Sequence, residues 1–499
     1  MFELSSSEVK LSFHLPPSHP SRLHPALVHA ICAAASIYTD KIPPTKLPFH
    51  GRVPAHQLFP DSEKRLFNLP DTFAERHCRL AFKRFKESRE FGRLGFSVGI
   101  VQAITILSIT LRRLAKWAPS HGSMDGSVRM AALLHLNVGP GFESLSDDYT
   151  PGVRLDPAHS PKEEEARRNT FWACYAAERY YARMSSHPMS LDDEDVSQPL
   201  PLRGDLFEQG FTVPMSQRQF IHSPDLLSSH PPELTDSFVL MVKSAILVSR
   251  VRTFNRRFRK LNFLGVDDMC LNVSPSSESN TPTSSGSNDG SQSSTGSSNR
   301  TKTTDARQVD RFLKLENEVE SFTRSFPAYL QEPITQDGFV DEMLFNTFLA
   351  SHFAKISLHE PHADFKLNES DFDGADFTCE SAHKVGEALD SAYHLFRTMT
   401  GSISDVTLAD TYCVSLLYQC AAICVEIIQK SFRSPPTTEE EIIARPRAHK
   451  YWDRFQFMRS TLRKIGARLP QAAVNAILLT EMVRRLMDPK RRTARVSVD

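Results

Sequence analysis

Apolar residues recur along most of this chain at the spacing of an α-helix, and strict apolar–polar alternation is absent. Leu23, Leu27, Ala30, Ile31 and Ala34 mark a first helix that opens at His24-Pro25. Residues 39–70 form a proline-rich connection, and residues 71–90 carry Phe73, Leu80, Ala81 and Phe85 between Arg76, Arg79, Lys83, Arg84 and Lys86. Apolar helices are predicted over Val98–Trp117 and Val128–Val138, and residues 139–160 are turn-rich. Phe238 to Arg259 is helical again, with Met241, Val242, Ala245, Val248 and Val251 on one side. Helical spacing resumes with Phe312, Leu315, Val319, Phe322 and Phe326 and continues through Leu344–Leu358, Ala382–Phe396, Leu408–Ile428, Trp452–Leu462 and Val474–Leu486. Leu408–Ile428 is apolar nearly all round, which predicts a buried central position. The expected fold is all-α, an irregular multi-helix array of roughly a dozen helices by the count of periodic segments.

One break in the pattern divides the array. Residues 272–304 are Ser, Thr, Gly and Asn with almost no apolar side chains. Such a segment cannot bury enough surface to offset its ordering entropy, so it is read as a disordered linker. The expected organisation is a loose lead-in at 1–22, an N-terminal helical half at 23–271, the linker at 272–304, a C-terminal helical half at 305–488 and a basic tail at 489–499.

The most informative stretch is a helix over residues 162–182 followed by an acidic loop over 185–201. Pro161 suits a first turn, and Glu163, Glu164 and Glu165 crowd the positive end of the helix dipole. Phe171, Trp172, Tyr175 and Tyr180 give it an aromatic face. Pro188 is expected to break the helix, and Asp192, Asp193, Glu194 and Asp195 follow, with Leu191 and Val196 as apolar anchors. Core packing is the expected role of the aromatics. Arg168 and Arg179 are expected to pair with Asp193, Asp195 or Glu178, holding the helix to its loop.

In order and spacing, Arg167, Arg168, Phe171, Trp172, Arg179, Pro188, Leu191, Asp193, Asp195, Val196, Leu200 and Pro201 resemble the fungal-specific transcription factor domain, the middle homology region of fungal zinc-cluster (Zn2Cys6) factors. Glu178 stands where that family usually has Asp. His24-Pro25 with Leu27, Ala30 and Ile31, then Val101-Gln102-Ala103, Ala131 with Leu134, Leu136 and Asn137, and Leu358-His359 with Pro361 are further matches. His135 replaces the family's Gly, which implies a looser helix–helix contact. The resemblance is clear over residues 20–260 and weaker over 310–430. It implies a nuclear regulator of RNA polymerase II transcription and not an enzyme. Expected partners are the transcription machinery or a small-molecule effector, with a second copy of the chain as a further candidate. DNA and zinc binding are expected of the family through a zinc-cluster module missing here, so no cofactor is expected in this chain. Either the coding sequence is cut short upstream, or the protein regulates without its own DNA reader.

Composition sets limits on the alternatives. With 59 basic and 59 acidic residues the formal net charge is zero, so nothing global points to a surface that coats nucleic acid or membrane. The apolar run Val98–Leu111 is shorter than the roughly 20 residues a bilayer needs, no signal peptide is visible, and no membrane partner is expected. The eight cysteines are scattered and lack a Cys-x-x-Cys pair, which suits buried thiols in a reducing compartment. His24 reads as a cap or packing residue, and the basic face of 71–90 as a solvated surface. Arg252, Arg256, Arg257, Arg259 and Lys260 fit an import signal, a phosphate contact or a helix C-terminus equally well. His359-Glu360-Pro361-His362 has the wrong spacing for a zinc protease motif. Two other readings remain: a Mg²⁺-dependent helical enzyme of terpene-synthase type using Asp192, Asp193 and Asp195, and a helical interaction scaffold without DNA linkage.

Overall fold

Wherever the apolar period holds, the chain is helical. The computed structural model describes residues 6–16, 19, 22–43, 70–90, 97–142, 155–182, 188–264, 305–334, 337–366, 377–402 and 405–488. Among these are fifteen α-helices, and strand-like pairing is limited to one isolated bridge between Ile334 and Val340. They are α1 (Ser6–His14), α2 (Pro25–Ala35), α3 (Phe73–Glu90), α4 (Val98–Arg113), α5 (Trp117–Leu133), α6 (Pro161–Ala182), α7 (Gly204–Glu208) and α8 (Ser237–Leu264). After these come α9 (Asp310–Phe322), α10 (Glu342–His359), α11 (Glu380–Ser402), α12 (Thr411–Lys430), α13 (Glu439–Ile443), α14 (Pro446–Ile465) and α15 (Pro470–Met487). The linker 272–304 and the tail 489–499 lie outside the described residues.

Local chemistry sets several boundaries. His24 caps α2: its Nδ1 accepts from the Ala26 backbone N–H at 3.1 Å, and its Nε2 lies 2.8 Å from Ser88 Oγ. Thr72 and Glu75 form a reciprocal capping box at α3, with 2.8 Å from the Thr72 N–H to Glu75 Oε2 and 3.4 Å in return. Asp341 and Asp410 cap α10 and α12. On the basic face of α3, Arg79 pairs with Asp71, and Lys83 and Arg84 with Glu87.

The structure corrects four expectations. Residues expected as a loose lead-in contain the helix Ser6–His14. The helix predicted over Val98–Trp117 stops at Arg113, and α5 starts at Trp117, with Ala115 turning the chain at φ +58°. The segment Val128–Val138 is the end of α5 and its exit, not a separate helix. His135 there adopts φ +57°, so the position requires a left-handed backbone at a helix end and not a close helix–helix approach. Helix α6, by contrast, spans Pro161–Ala182, as the expected bounds 162–182 had it.

Helix α2 packs on α3 and α4, α4 on α5, and α5 on α6. From there α6 packs on α8, α8 on α10, and α10 on α11 and α12. Helix α12 lies against α14 and α15, and α15 returns to α4. One apolar core extends from Val101 to Leu486, with a smaller cluster under α2, α3 and α4. By length and composition α12 could cross a bilayer, making it a longer apolar helix than Val98–Leu111, but 78% of its apolar window is buried inside the protein.

Candidate functional site

Two polar networks anchor α6, and both run into the segment that follows it. The first lies at its C-terminal end. Arg179 is fully buried and stacks over the Tyr175 ring at 4.0 Å. Its guanidinium pairs with Glu178, donates to Asp193 Oδ1 at 2.9 Å and donates to the Leu191 carbonyl at 2.7 Å. Asp193 also accepts from the Tyr175 hydroxyl at 2.7 Å and, through Oδ2, from Ser249 Oγ on α8 at 2.8 Å. Glu178 accepts the Ser190 N–H at 2.7 Å. Burial pushes the Asp193 carboxyl up, but Arg179 and the hydroxyl donors outweigh it and hold the group below the usual carboxylate range. Burial likewise opposes the charge on Arg179, and Tyr175, Asp193 and Glu178 hold it protonated.

The second network lies at the other end. Glu165 is buried; Arg218 donates to both its oxygens at 2.9 Å, and the Leu202 N–H donates at 2.7 Å. Arg168 pairs with Glu165 and Glu164 and donates to Gln198 Oε1 at 3.0 Å. Gln198 in turn donates to the Leu136 and Val138 carbonyls. Between the networks, Trp172 is fully buried and its indole N–H donates to the Pro199 carbonyl at 2.7 Å. Asn137 fixes the loop from the other side: its side chain donates to the Asp195 carbonyl, and its carbonyl accepts the Ser197 and Gln198 N–H groups. Gly139 is required at this contact, since a Cβ there would come within 2.6 Å of the Ser197 carbonyl oxygen.

The expected clamp is therefore present for Arg179, Glu178 and Asp193, and differs for the other residues. Arg168 pairs with acids of its own helix and not with the loop acids. Asp195 contributes its backbone carbonyl while its side chain is exposed. Arg167 is half-buried; it pairs with Glu163 at 2.6 Å and donates to the Asp156 carbonyl. Phe171, Leu200 and Pro201 are buried, and Pro188 is exposed. Glu165 is a buried ion-pair partner and not a solvated dipole acid. The sequence reading missed Gln198, Arg218 and Ser249. Only Gln198 carried a signal, as a polar residue enclosed by the apolar anchors Val196 and Leu200.

The loop also walls a half-open cleft of about 1110 Å³, whose other walls are α8, α9 and the segment Ile221–Pro224. Arg250 on α8 reaches Glu318 on α9 at 3.2 Å and the Ile221 carbonyl at 2.9 Å. Arg257 meets Asp192 at 2.9 Å. Burial, and then Arg256, lower the Arg252 guanidinium to about 10. Since α8 continues to Leu264, Arg252, Arg256 and Arg257 do not terminate it, and the helix-end explanation for this basic cluster fails. These three side chains line the cleft, joined by Arg311 and Lys314 of α9, which were not singled out in sequence.

Residues 13–243 match the family model of the fungal specific transcription factor domain. The chain carries a fungal-specific transcription factor domain. It is also 29% identical over 186 residues to an uncharacterized transcriptional regulatory protein of Schizosaccharomyces pombe, a match covering 36% of this chain and 16% of that protein. No solved structure matches the chain. Apart from Ser249, both networks on α6, and the loop they hold, lie inside the matched region. The matched domain covers just under half of the chain, and together with the S. pombe match it supports a family of fungal transcription regulators.

The described residues do not fit the zinc cluster of that family. No group of three or more His, Cys, Asp or Glu side chains among them is arranged for a metal ion. Cys413, Cys420 and Cys424 are buried along α12, and burial pushes the thiols of Cys78 and Cys174 up to about 12, away from the thiolate form zinc requires. Cys270 lies outside the described residues. Of the three acids proposed for Mg²⁺, Asp193 is engaged by Arg179 and Asp192 by Arg257, while the Asp195 side chain is exposed.

Proposed function

We propose that this protein regulates RNA polymerase II transcription in the nucleus, with its helical array as the regulatory part. DNA contact and zinc belong, in this reading, to a module other than the described helices. The array responds to a small-molecule effector or to the transcription machinery. The single observation that carries the reading is the family match over residues 13–243, which spans the helix and loop joined by Arg179 and Asp193.

Fusion of the chain to an unrelated DNA-binding domain, upstream of a reporter in a fungal host, tests it. The expected outcome is a reproducible change in reporter output, together with nuclear accumulation of the fluorescently tagged chain. A tagged chain that stays out of the nucleus and a fusion that leaves the reporter untouched would together overturn the proposal.

A further inference from the structure

The cleft between the loop, α8 and α9 holds more basic groups than its own carboxylates neutralise. Arg252 and Arg256 stand one turn apart on α8, and Arg311 and Lys314 one turn apart on α9. Like charges at these spacings repel each other on a helix. Here two such pairs line one space.

The lining carboxylates are mostly engaged elsewhere. Asp193 is held by Arg179, Asp192 by Arg257 and Glu318 by Arg250. Glu194 and Asp310 remain, both exposed. Arg256, Arg311 and Lys314 form no ion pair among the described residues. Leu191, Ile221, Val309 and Leu315 add apolar lining.

We propose that this cleft binds a small organic polyanion, bearing carboxylate or phosphate groups, between Arg252 and Arg256 on one wall and Arg311 and Lys314 on the other. Guanidinium forks bind such oxygens in pairs, and a lysine adds a mobile point charge. The volume of about 1110 Å³ lies slightly above the usual pocket range of roughly 300–1,000 Å³ and has room for a metabolite-sized ligand. The apolar lining leaves room for a carbon skeleton between the anionic groups. Binding rests on the cleft alone; it would give a chemistry to the effector of the transcriptional reading, and each can fail without the other.

Calorimetric titration of the full chain with citrate and with pyrophosphate, at fixed ionic strength and with spermidine as a cationic control, tests the inference. Saturable binding of one anion per chain is expected, with no binding of spermidine. Preference for citrate assigns carboxylates, and preference for pyrophosphate assigns phosphates. Arg256 and Lys314 are exposed, so the double substitution Arg256→Glu, Lys314→Glu is expected to leave the unliganded protein folded, with a melting temperature no lower than that of the natural protein. It should weaken binding at least tenfold, as should Arg311→Glu in a separate chain. The inference is overturned if neither anion saturates, or if both sets of charge reversals leave the affinity as it was.

Discussion

Asp193 lies 2.9 Å from the buried guanidinium of Arg179, and through its other oxygen receives the Ser249 hydroxyl of α8. One carboxylate thus joins three parts of the chain: the aromatic helix α6, the loop that follows it and the helix that continues past the cleft.

Removing either partner leaves a charge stranded. Arg179→Ala is expected to destabilise the domain by on the order of 3–5 kcal/mol, the usual effect of breaking a desolvated pair. Arg179→Lys should rescue only part of this, because one ammonium cannot reproduce the planar fork that serves Asp193, Leu191 and Glu178 together. Chemical denaturation of the two variants measures both effects. Equal midpoints for Arg179→Ala and the natural protein would remove the clamp from the account.

Trp172→Phe tests the link between α6 and the end of the loop. The substitution keeps an aromatic ring but deletes the indole donor, leaving the buried Pro199 carbonyl unsatisfied. A loss of about 1–3 kcal/mol is expected, read as a lower denaturation midpoint. A change no larger than that of an exposed control, such as Phe339→Tyr, would mean that the hydrogen bond contributes nothing.

His135 offers a test in the opposite direction. A residue that carries a Cβ at φ +57° has steric strain that glycine avoids. His135→Gly should therefore stabilise the protein by up to about 1 kcal/mol, with thermal denaturation as the measurement. The gain is reduced by the larger entropy of glycine in the unfolded chain, so a clear decrease in melting temperature would show that the imidazole itself is needed.

Lys243 predicts a pH dependence. It is buried on α8, where its ammonium donates to Gln219 Oε1 at 2.7 Å, to the Ser229 carbonyl at 2.8 Å and to His230 Nδ1 at 3.0 Å. No carboxylate is in that set, and burial lowers the group to about 7 from 10.5. The folded value is depressed, so between the two values the unfolded chain binds a proton that the folded chain does not. The contribution of this residue to stability is lowest below about pH 7 and rises with pH toward 10. Denaturation midpoints of the natural protein and Lys243→Met, compared from pH 7 to 9, should diverge, with the rise smaller in the variant. Parallel profiles would mean that Lys243 stays charged throughout.

Much of this was readable in one dimension. Apolar residues at helical spacing placed the long helices, because a helix needs only one face to pack and the spacing records that face. His24 and Pro161 mark starts because a cap acts within a few residues of itself. The aromatic face of α6 and its tie to the following acids were legible for the same reason: Arg179 and Asp193 are close in sequence as well as in space.

Tertiary structure alone decided the rest. Which acid Arg168 would take, and that Glu165 would be buried under Arg218, depended on where a distant loop folds back. The left-handed backbone at His135 and the contact of Gly139 with Ser197 arise from chain direction, which composition does not encode. Nor could spacing show that Arg256 and Lys314 line the same cleft, since α8 and α9 are separated by the residues read as a linker. Local periodicity fixes what a helix wants to bury; the packing of helices against each other fixes which charged groups are left facing one another.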